Sequence, residues 1–345
     1  MHVPRIELTP GYSISQIIRG GWQLAEGHHR AGVNAEAGIE GMRACVDAGI
    51  TTFDCADIYT GVEELIGRFL RTHRGERLIQ IHTKYVPDLD SLATLTENDI
   101  KATIDRSLQR LGVERLDLVQ FHWWDFDIPG YVEAAATLDK LRQRGKIRHV
   151  GATNFDVDHL AEIVNEGIPV VSNQVQYSVL DRRPAEHMTA WCAERGISLL
   201  CYGTLAGGFL TDRYLGTPSA DEPFENRSLT KYRLIIEEVG GWSRYQEILH
   251  VLHAVASRYG VSISIVAMRF VLDCPQVAAA IVGIQHPSHV TEAARVFDLS
   301  LDAEDQQALR ACSAQGEGPS GSVYGLERIK GGRHTAVMKT DLNKQ

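Results

Sequence analysis

Short β-branched runs alternate with helical patterns along this chain at intervals of about 30 residues, a rhythm that leaves few folds open. Strand-like segments are read at 51–53, 78–85, 116–122, 147–153, 170–177, 198–202 and 278–284. Helical patterns are read at 35–48, 63–73, 97–111, 131–144, 157–164, 185–195 and 288–296. An alternation broken at Thr9-Pro10-Gly11-Tyr12 adds an N-terminal β-hairpin that leads into a first strand at 14–18, ending at Gly20-Gly21-Trp22. Such alternation implies parallel strands joined by helical crossovers. About eight units with no second architecture favour a closed (β/α)8 TIM barrel, for which ~250 residues is typical. A doubly wound open sheet is the alternative, and the absence of a G-x-G-x-x-G fingerprint at the first glycine pair counts against it.

The rhythm is broken once, after the seventh strand. Residues 206–276 hold Gly207-Gly208, a polar stretch at 216–227 and helical patterns near 228–239 and 245–259. An insertion there sits on the catalytic rim of a barrel, which suggests a lid over a ligand. Residues 1–312 are therefore expected to form one barrel domain. The tail, 313–345, is Gly/Ser-rich and then polar, and is expected either to be disordered or to fold over the active-site rim.

Composition narrows the function. A formal charge of −9, with no long Lys/Arg run, argues against a nucleic-acid surface. No apolar stretch approaches a membrane span, and the start lacks a signal-peptide core, so a cytoplasmic protein with no membrane partner is expected. The six cysteines contain no Cys-x-x-Cys pair and read as buried, reduced thiols. No His, Cys or carboxylate spacing suggests a metal, since His28-His29 and His250/His253 lack strand-end carboxylates.

Chemistry collects at the strand ends. The strand at 51–53 delivers Asp54, and Tyr59 follows on the next loop. The next two strands end in Lys84 and in His122, the latter followed by Trp123 and Trp124. A lysine at a buried strand end is costly unless paired with an acid, and Asp54 on the neighbouring strand is its natural partner. Each residue alone has a structural reading: a turn cap, a rim phenol, an ion pair and a core histidine. Together on consecutive strands they read as a site.

Several blocks carry a family resemblance: Gly49-Ile-Thr-Thr-Phe-Asp54-Cys-Ala-Asp-Ile-Tyr59, Thr83-Lys84, Leu-Asp-Leu-Val-Gln-Phe-His122 and Gly145-Lys-Ile-Arg-His-Val-Gly-Ala-Thr153-Asn154. Val171-Ser-Asn-Gln174 and Tyr202-Gly-Thr-Leu205-Ala-Gly207 continue it. The chain resembles the aldo-keto reductases, barrel oxidoreductases that use a nicotinamide cofactor. The resemblance implies a catalytic tetrad of Asp54, Tyr59, Lys84 and His122, interconverting an aldehyde or ketone and its alcohol by hydride transfer. Cofactor contacts would come from Gly20, Gly21, Trp22 and Asp54. Thr153, Asn154 and Gln174 would hold the carboxamide, and Tyr202 would stack on the nicotinamide. Gly203, Leu205 and Gly207 would follow the pyrophosphate, with Gly283 and His289 after the last strand. Trp22, Trp123 and Trp124 would line the substrate pocket. A regulatory or structural subunit that binds cofactor without turnover is the alternative.

The physics fits such a tetrad. A free phenol has a pKa near 10. A lysine cation ~4 Å away contributes on the order of 4 kcal/mol at an effective dielectric of 20, enough to lower that pKa by up to about three units. A neutral His122 is then expected to orient the substrate carbonyl by donating a hydrogen bond. One segment departs from the family: His289 stands where an arginine is common, and Ala293 where an asparagine is. A histidine holds a 2′-phosphate less well than a guanidinium. NADP(H) is favoured from the family and NAD(H) is possible, with Arg227 and Lys231 as candidate compensating cations. The small-molecule substrate and the oligomeric state leave no signal.

Overall fold

The computed structural model describes residues 2–26, 34–73, 75, 78–219, 224, 226–284, 286–314 and 318–344. Arg5–Thr9 (β1) and Tyr12–Ser15 (β2) form an antiparallel hairpin. Eight parallel strands follow: β3 (Ile17–Gly20), β4 (Thr52–Asp54), β5 (Gln80–Tyr85), β6 (Leu116–Phe121), β7 (Ile147–Thr153), β8 (Val170–Gln176), β9 (Ser198–Tyr202) and β10 (Val277–Val282). β10 pairs with β3 and closes the barrel, so the expected (β/α)8 fold is the fold of the chain.

Closure is what builds a site, because it brings the carboxyl ends of eight strands to one rim. Asp54 ends β4, Thr153 ends β7 and Tyr202 ends β9. Lys84 and Gln120 are the penultimate residues of β5 and β6, and the register pairs them directly. The helices outside hold this arrangement by ordinary amphipathic packing. In Val62–Thr72 the buried side chains Val62, Leu65, Ile66 and Phe69 recur at three- and four-residue steps. Phe69 meets Phe53 of β4 at 5.8 Å between ring centres. The Glu97–Leu111 helix opens on a capping box, Thr96 with Asp99, and stops at Gly112 in a left-handed conformation (φ 69°).

The opposite end of the barrel is shut by the hairpin. Leu8, Tyr12 and Ile14 pack with Ile18, Leu118, Leu200, Ala278, Ala279 and Ile281 into a separate apolar cluster. The run read as one strand at 14–18 is in fact two. Ser15 makes the break, its hydroxyl donating to the Ile17 carbonyl (2.7 Å) and accepting from the amides of Thr51 and Thr52.

Three other boundaries differ from the sequence reading. β5 begins at Gln80 because Leu78, 68% exposed, lies outside the barrel. The helix expected at 185–195 is broken at His187 into Arg183–Glu186 and Met188–Glu194. The stretch after β9 contains, besides Arg227–Glu238 and Gly241–Tyr259, a third helix, Ile263–Leu272. That helix is almost wholly buried, so its apolar run has no polar face to betray a 3.6-residue period. After the Ala303–Ala314 helix, residues 318–344 run back across the rim. Arg328 donates to the Trp123 carbonyl (2.9 Å), Leu89 N to Thr340 O (2.9 Å) and Asn343 Nδ2 to Val86 O (2.8 Å). No single helix among the described residues is long and apolar enough to cross a membrane.

Candidate active site

Asp54 is the hub of the rim. Its Oδ2 lies 2.6 Å from Lys84 Nζ, and its Oδ1 accepts from Gln174 Nε2 (2.7 Å) and Gln120 Nε2 (3.0 Å). Lys84 also donates to the Cys55 carbonyl at 2.9 Å. Burial works against the Lys84 cation, yet Asp54 and Tyr59 together hold its pKa above the ordinary lysine range. The ammonium stands 5.0 Å from the centre of the Tyr59 ring. For that phenol, burial is the largest influence and raises the pKa; Lys84 pulls it down and Asp54 pushes it back up. The expected lysine effect is therefore present, but in this desolvated rim it does not prevail.

His122 follows β6 and is also buried. Its Nδ1 lies 3.2 Å from the carbonyl oxygen of Thr153. Burial, reinforced by Arg328, lowers its pKa to about 3, so the ring is neutral at ordinary pH. A neutral ring has one N–H, and the Thr153 carbonyl can accept it when it sits on Nδ1. The Nε2 atom is buried and has no protein partner among the described residues.

These groups open onto a cavity of about 530 Å³. Its wall contains Asp54, Tyr59, Lys84, His122, Gly20, Trp22, Trp124, Thr153, Asn154, Gln174, Tyr202, Gly203, Leu205, Gly207, Gly283 and His289. Gly21 and Trp123 are not part of it. Trp123 is 0% exposed, with its indole N–H on the Ile128 carbonyl at 3.0 Å, and packs among Phe121 and Tyr131 in the core. Side chains alternate across a strand, so the neighbour of an inward His122 must point outward.

The glycines were read as openings for a ligand, but the protein itself uses two of them. A β-carbon on Gly21 would lie 2.5 Å from the Asp54 carbonyl oxygen. One on Gly203, already at φ 73°, would lie 2.4 Å from the hydroxyl of Tyr232, which the Arg227–Glu238 helix lays over the loop after β9.

The residues assigned to a carboxamide form a complementary pair. Both amide hydrogens of Gln174 are taken, by Asp54 and by Gln120 (2.7 Å each), so only its oxygen is open to a ligand. Asn154 sits at φ 62°, and its Oδ1 accepts from the Tyr202 hydroxyl at 2.8 Å, leaving its N–H groups for a ligand. One acceptor beside one donor suits a primary amide, so the residues present fit a nicotinamide carboxamide.

Further residues complete the wall, and of these the sequence reading named only Lys231, as a candidate phosphate-binding cation. Lys231 lines the cavity 5.1 Å from the Tyr202 ring, 5.4 Å from Tyr324 and 5.7 Å from Tyr232. Its acid partner is Glu327 of the tail, 3.5 Å away. Glu327 also meets Arg183 (3.1 Å), which in turn binds Asp181 (2.7 Å). Lys231 is thus tied to the tail. The side chain of Arg227 lies outside the described residues. Tyr324, Val337, Met338, Lys339 and Leu342 bring the tail into the wall. Gln120, a partner of Asp54 and Gln174, was also passed over, though it had a visible signal as a polar residue inside an apolar strand two positions before His122. All six cysteines are free thiols, five of them buried.

A model described as the aldo/keto reductase family matches residues 16–314. The chain belongs to the aldo/keto reductase family. Among relatives of this aldo/keto reductase is the aldo-keto reductase YhdN of Bacillus subtilis, 27% identical over 306 residues, 86% of this chain and 89% of that protein. Another is the NADH-specific methylglyoxal reductase of Escherichia coli, 25% identical over 329 residues, 88% of this chain and 95% of that one. A solved structure, the glycerol dehydrogenase AKR11B4 from Gluconobacter oxydans, superposes with a TM-score of 0.77 at 25% identity, over 93% of this chain and 97% of that one. Family and relatives support carbonyl/alcohol oxidoreduction as the activity of this aldo/keto reductase, in a family whose members bind nicotinamide cofactors.

Proposed function

We propose that this chain is an NAD(P)-dependent enzyme that interconverts a small aldehyde or ketone and its alcohol, with Tyr59 as general acid and base. The observation that carries the reading is the linked set Asp54–Lys84–Tyr59 in one cavity with the Asn154/Gln174 amide pair. A nicotinamide cofactor held there supplies the hydride for reduction or takes it in oxidation. Asn154, Gln174 and Thr153 would hold and orient the carboxamide, and the Tyr202 ring would stack on the nicotinamide. Tyr59 keeps its proton at Oη until the carbonyl oxygen gains negative charge, then gives it up. Lys84 makes that loss easier by stabilising the phenolate, and Asp54 keeps Lys84 charged. Trp22, Ile58, Val86 and Trp124 exclude water and give the substrate an apolar bed.

The reading covers NADP(H) and NAD(H). His289 lines the cavity where the family commonly has an arginine, which weakens a 2′-phosphate site, whereas the family leans toward NADPH. The Escherichia coli relative named as NADH-specific shows that relatives need not follow that lean. Fluorescence titration with NADPH and NADH gives the two Kd values and decides between them. In the same assay Asn154→Ala should raise the Kd roughly tenfold, since hydrogen bonds of this kind contribute about 0.5–1.5 kcal/mol each. An unchanged Kd would sink the carboxamide assignment, and no oxidation of either cofactor across a panel of aldehydes would sink the activity.

A further inference from the structure

A second cavity, of about 550 Å³, shares no residue with the active-site cavity. One wall is a single face of the Ala303–Ala314 helix: Ala303, Gln306, Gln307, Arg310, Ala311 and Ala314 recur at steps of three and four residues. The other wall is Arg182, which precedes the Arg183–Glu186 helix. Two hydrogen bonds tie the walls together. Ser313 Oγ donates to the Val179 carbonyl at 2.5 Å, and Arg182 Nη1 to the Arg310 carbonyl at 3.4 Å. The backbone that carries Arg182 is fixed as well, because Asp181 and Arg183 on either side are buried and ion-paired with each other at 2.7 Å. The groove is therefore preformed.

Its charge is one-sided. Arg182 and Arg310 both line it, and no Asp or Glu does. Acids are not scarce in this chain, which has 44 Asp and Glu against 35 Lys and Arg, yet neither guanidinium meets one among the described residues. The protein takes one contact from each: the Arg310 carbonyl from Arg182, and Gln306 Oε1 from Arg310 Nη2 at 2.9 Å. The remaining N–H groups of the two forks are uncommitted, and Arg182 Nε is buried with no partner. A buried donor left unmet costs free energy, and so do two cations on one groove without a counter-charge. An anion with several oxygens answers both. A carboxylate is used up by a single guanidinium in the bidentate mode, whereas a phosphoryl group has oxygens for two. We propose that this groove binds a phosphoryl group between Arg182 and Arg310. The alanines beside them leave room for the rest of a small molecule, and the exposed Gln307 stands at its edge. The site is separate from hydride transfer, since no residue of the active-site cavity takes part.

Line broadening in ³¹P spectra, with the full-length protein and constant ionic strength, gives the Kd of inorganic phosphate and of glycerol 3-phosphate. Arg182→Gln and Arg310→Gln should each raise both values roughly 10-fold, the worth of a charge-assisted contact. Arg310→Lys, which keeps the charge and loses the fork, should recover only part of that loss. Both side chains reach solvent, and far-UV circular dichroism checks that the variants fold. His289→Gln, in the active-site cavity, should leave the values within about 2-fold of wild type. Tighter binding of glycerol 3-phosphate than of phosphate identifies a phosphorylated small molecule as the ligand, and equal Kd values identify phosphate itself. The proposal falls if neither probe broadens, if the Kd follows His289→Gln rather than the arginines, or if chloride competes as well as phosphate does. None of these outcomes touches the oxidoreductase reading, because activity is not the readout.

Discussion

At the amino end of the strands, His82 lies against Tyr12 of the hairpin; at the carboxyl end, His122 lies on a cavity that Tyr59 faces. Both histidines are buried, and burial lowers each pKa to about 3. Each has one ring nitrogen without a partner among the described residues. Below, the other nitrogen of His82 meets the Tyr12 hydroxyl at 3.1 Å, and apolar side chains from the hairpin and strands seal the pair. Above, no such seal exists: the His122 nitrogen and the Tyr59 hydroxyl share a wall with 530 Å³ of space. The two ends are also held differently. Leucines, isoleucines and alanines close the lower one, while ion pairs among Asp181, Arg183, Lys231 and Glu327 brace the upper one. The same residue types make a plug or a site according to whether a neighbour is built to meet them.

Removing one hydroxyl at each end gives the sharpest contrast. Tyr59→Phe should lower kcat by ~10²–10⁴-fold with cofactor Kd unchanged, because only the proton donor is lost. Tyr12→Phe should leave kcat within about 2-fold and instead cost ~1–3 kcal/mol in urea unfolding, because His82 loses its partner. Equal losses of kcat in the two variants would erase the distinction. Next in size is Glu327→Ala. Stripping one partner from a buried pair costs about 3–5 kcal/mol, measurable by urea titration. The same change at an exposed acid such as Glu36 should cost under ~1 kcal/mol.

Acid provides a third comparison. A histidine at about 3 in the folded chain and ~6.5 unfolded binds more protons when unfolded, so its contribution is intact above pH 6.5 and falls away toward pH 3. Each such histidine should add about 1.4 kcal/mol of destabilisation per pH unit in that window. His82→Gln should flatten the stability-against-pH slope by about that amount; an unaltered slope would mean His82 titrates normally. The smallest effects separate the two tryptophans. Trp124→Phe should raise substrate KM several-fold, whereas Trp123→Phe should leave KM alone and cost roughly 1–3 kcal/mol of stability. A KM change in the second variant would return Trp123 to the pocket.

What could be read in advance follows the same division. The rim residues that strands deliver were legible, because a buried lysine demands an acid and strand ends in a parallel barrel converge. Gln120 was legible too, on the same face as His122 by two-residue alternation, and that alternation argues against Trp123. The orientation of His122 was not, since which nitrogen carries the proton depends on a carbonyl 31 positions away. Nor was the brace: Arg183 and Glu327 are separated by 144 residues, and nothing local marks either as a partner. Gly203 announced that something comes close, but its sequence did not say that Tyr232 is what arrives.

The tail has a consequence for how the protein matures. Tyr324, Val337, Met338, Lys339 and Leu342 all follow the last barrel strand in the chain, yet they finish the cavity wall. Synthesis runs from the amino end, so a nascent chain can close its barrel and align Asp54 with Lys84 while the pocket still lacks its outer side. Ribosome-bound or prematurely terminated chains would carry the catalytic groups in an open trough, exposed to water and to compounds the finished enzyme keeps out. The outer wall of the cavity is thus laid down after the barrel strands that carry its floor.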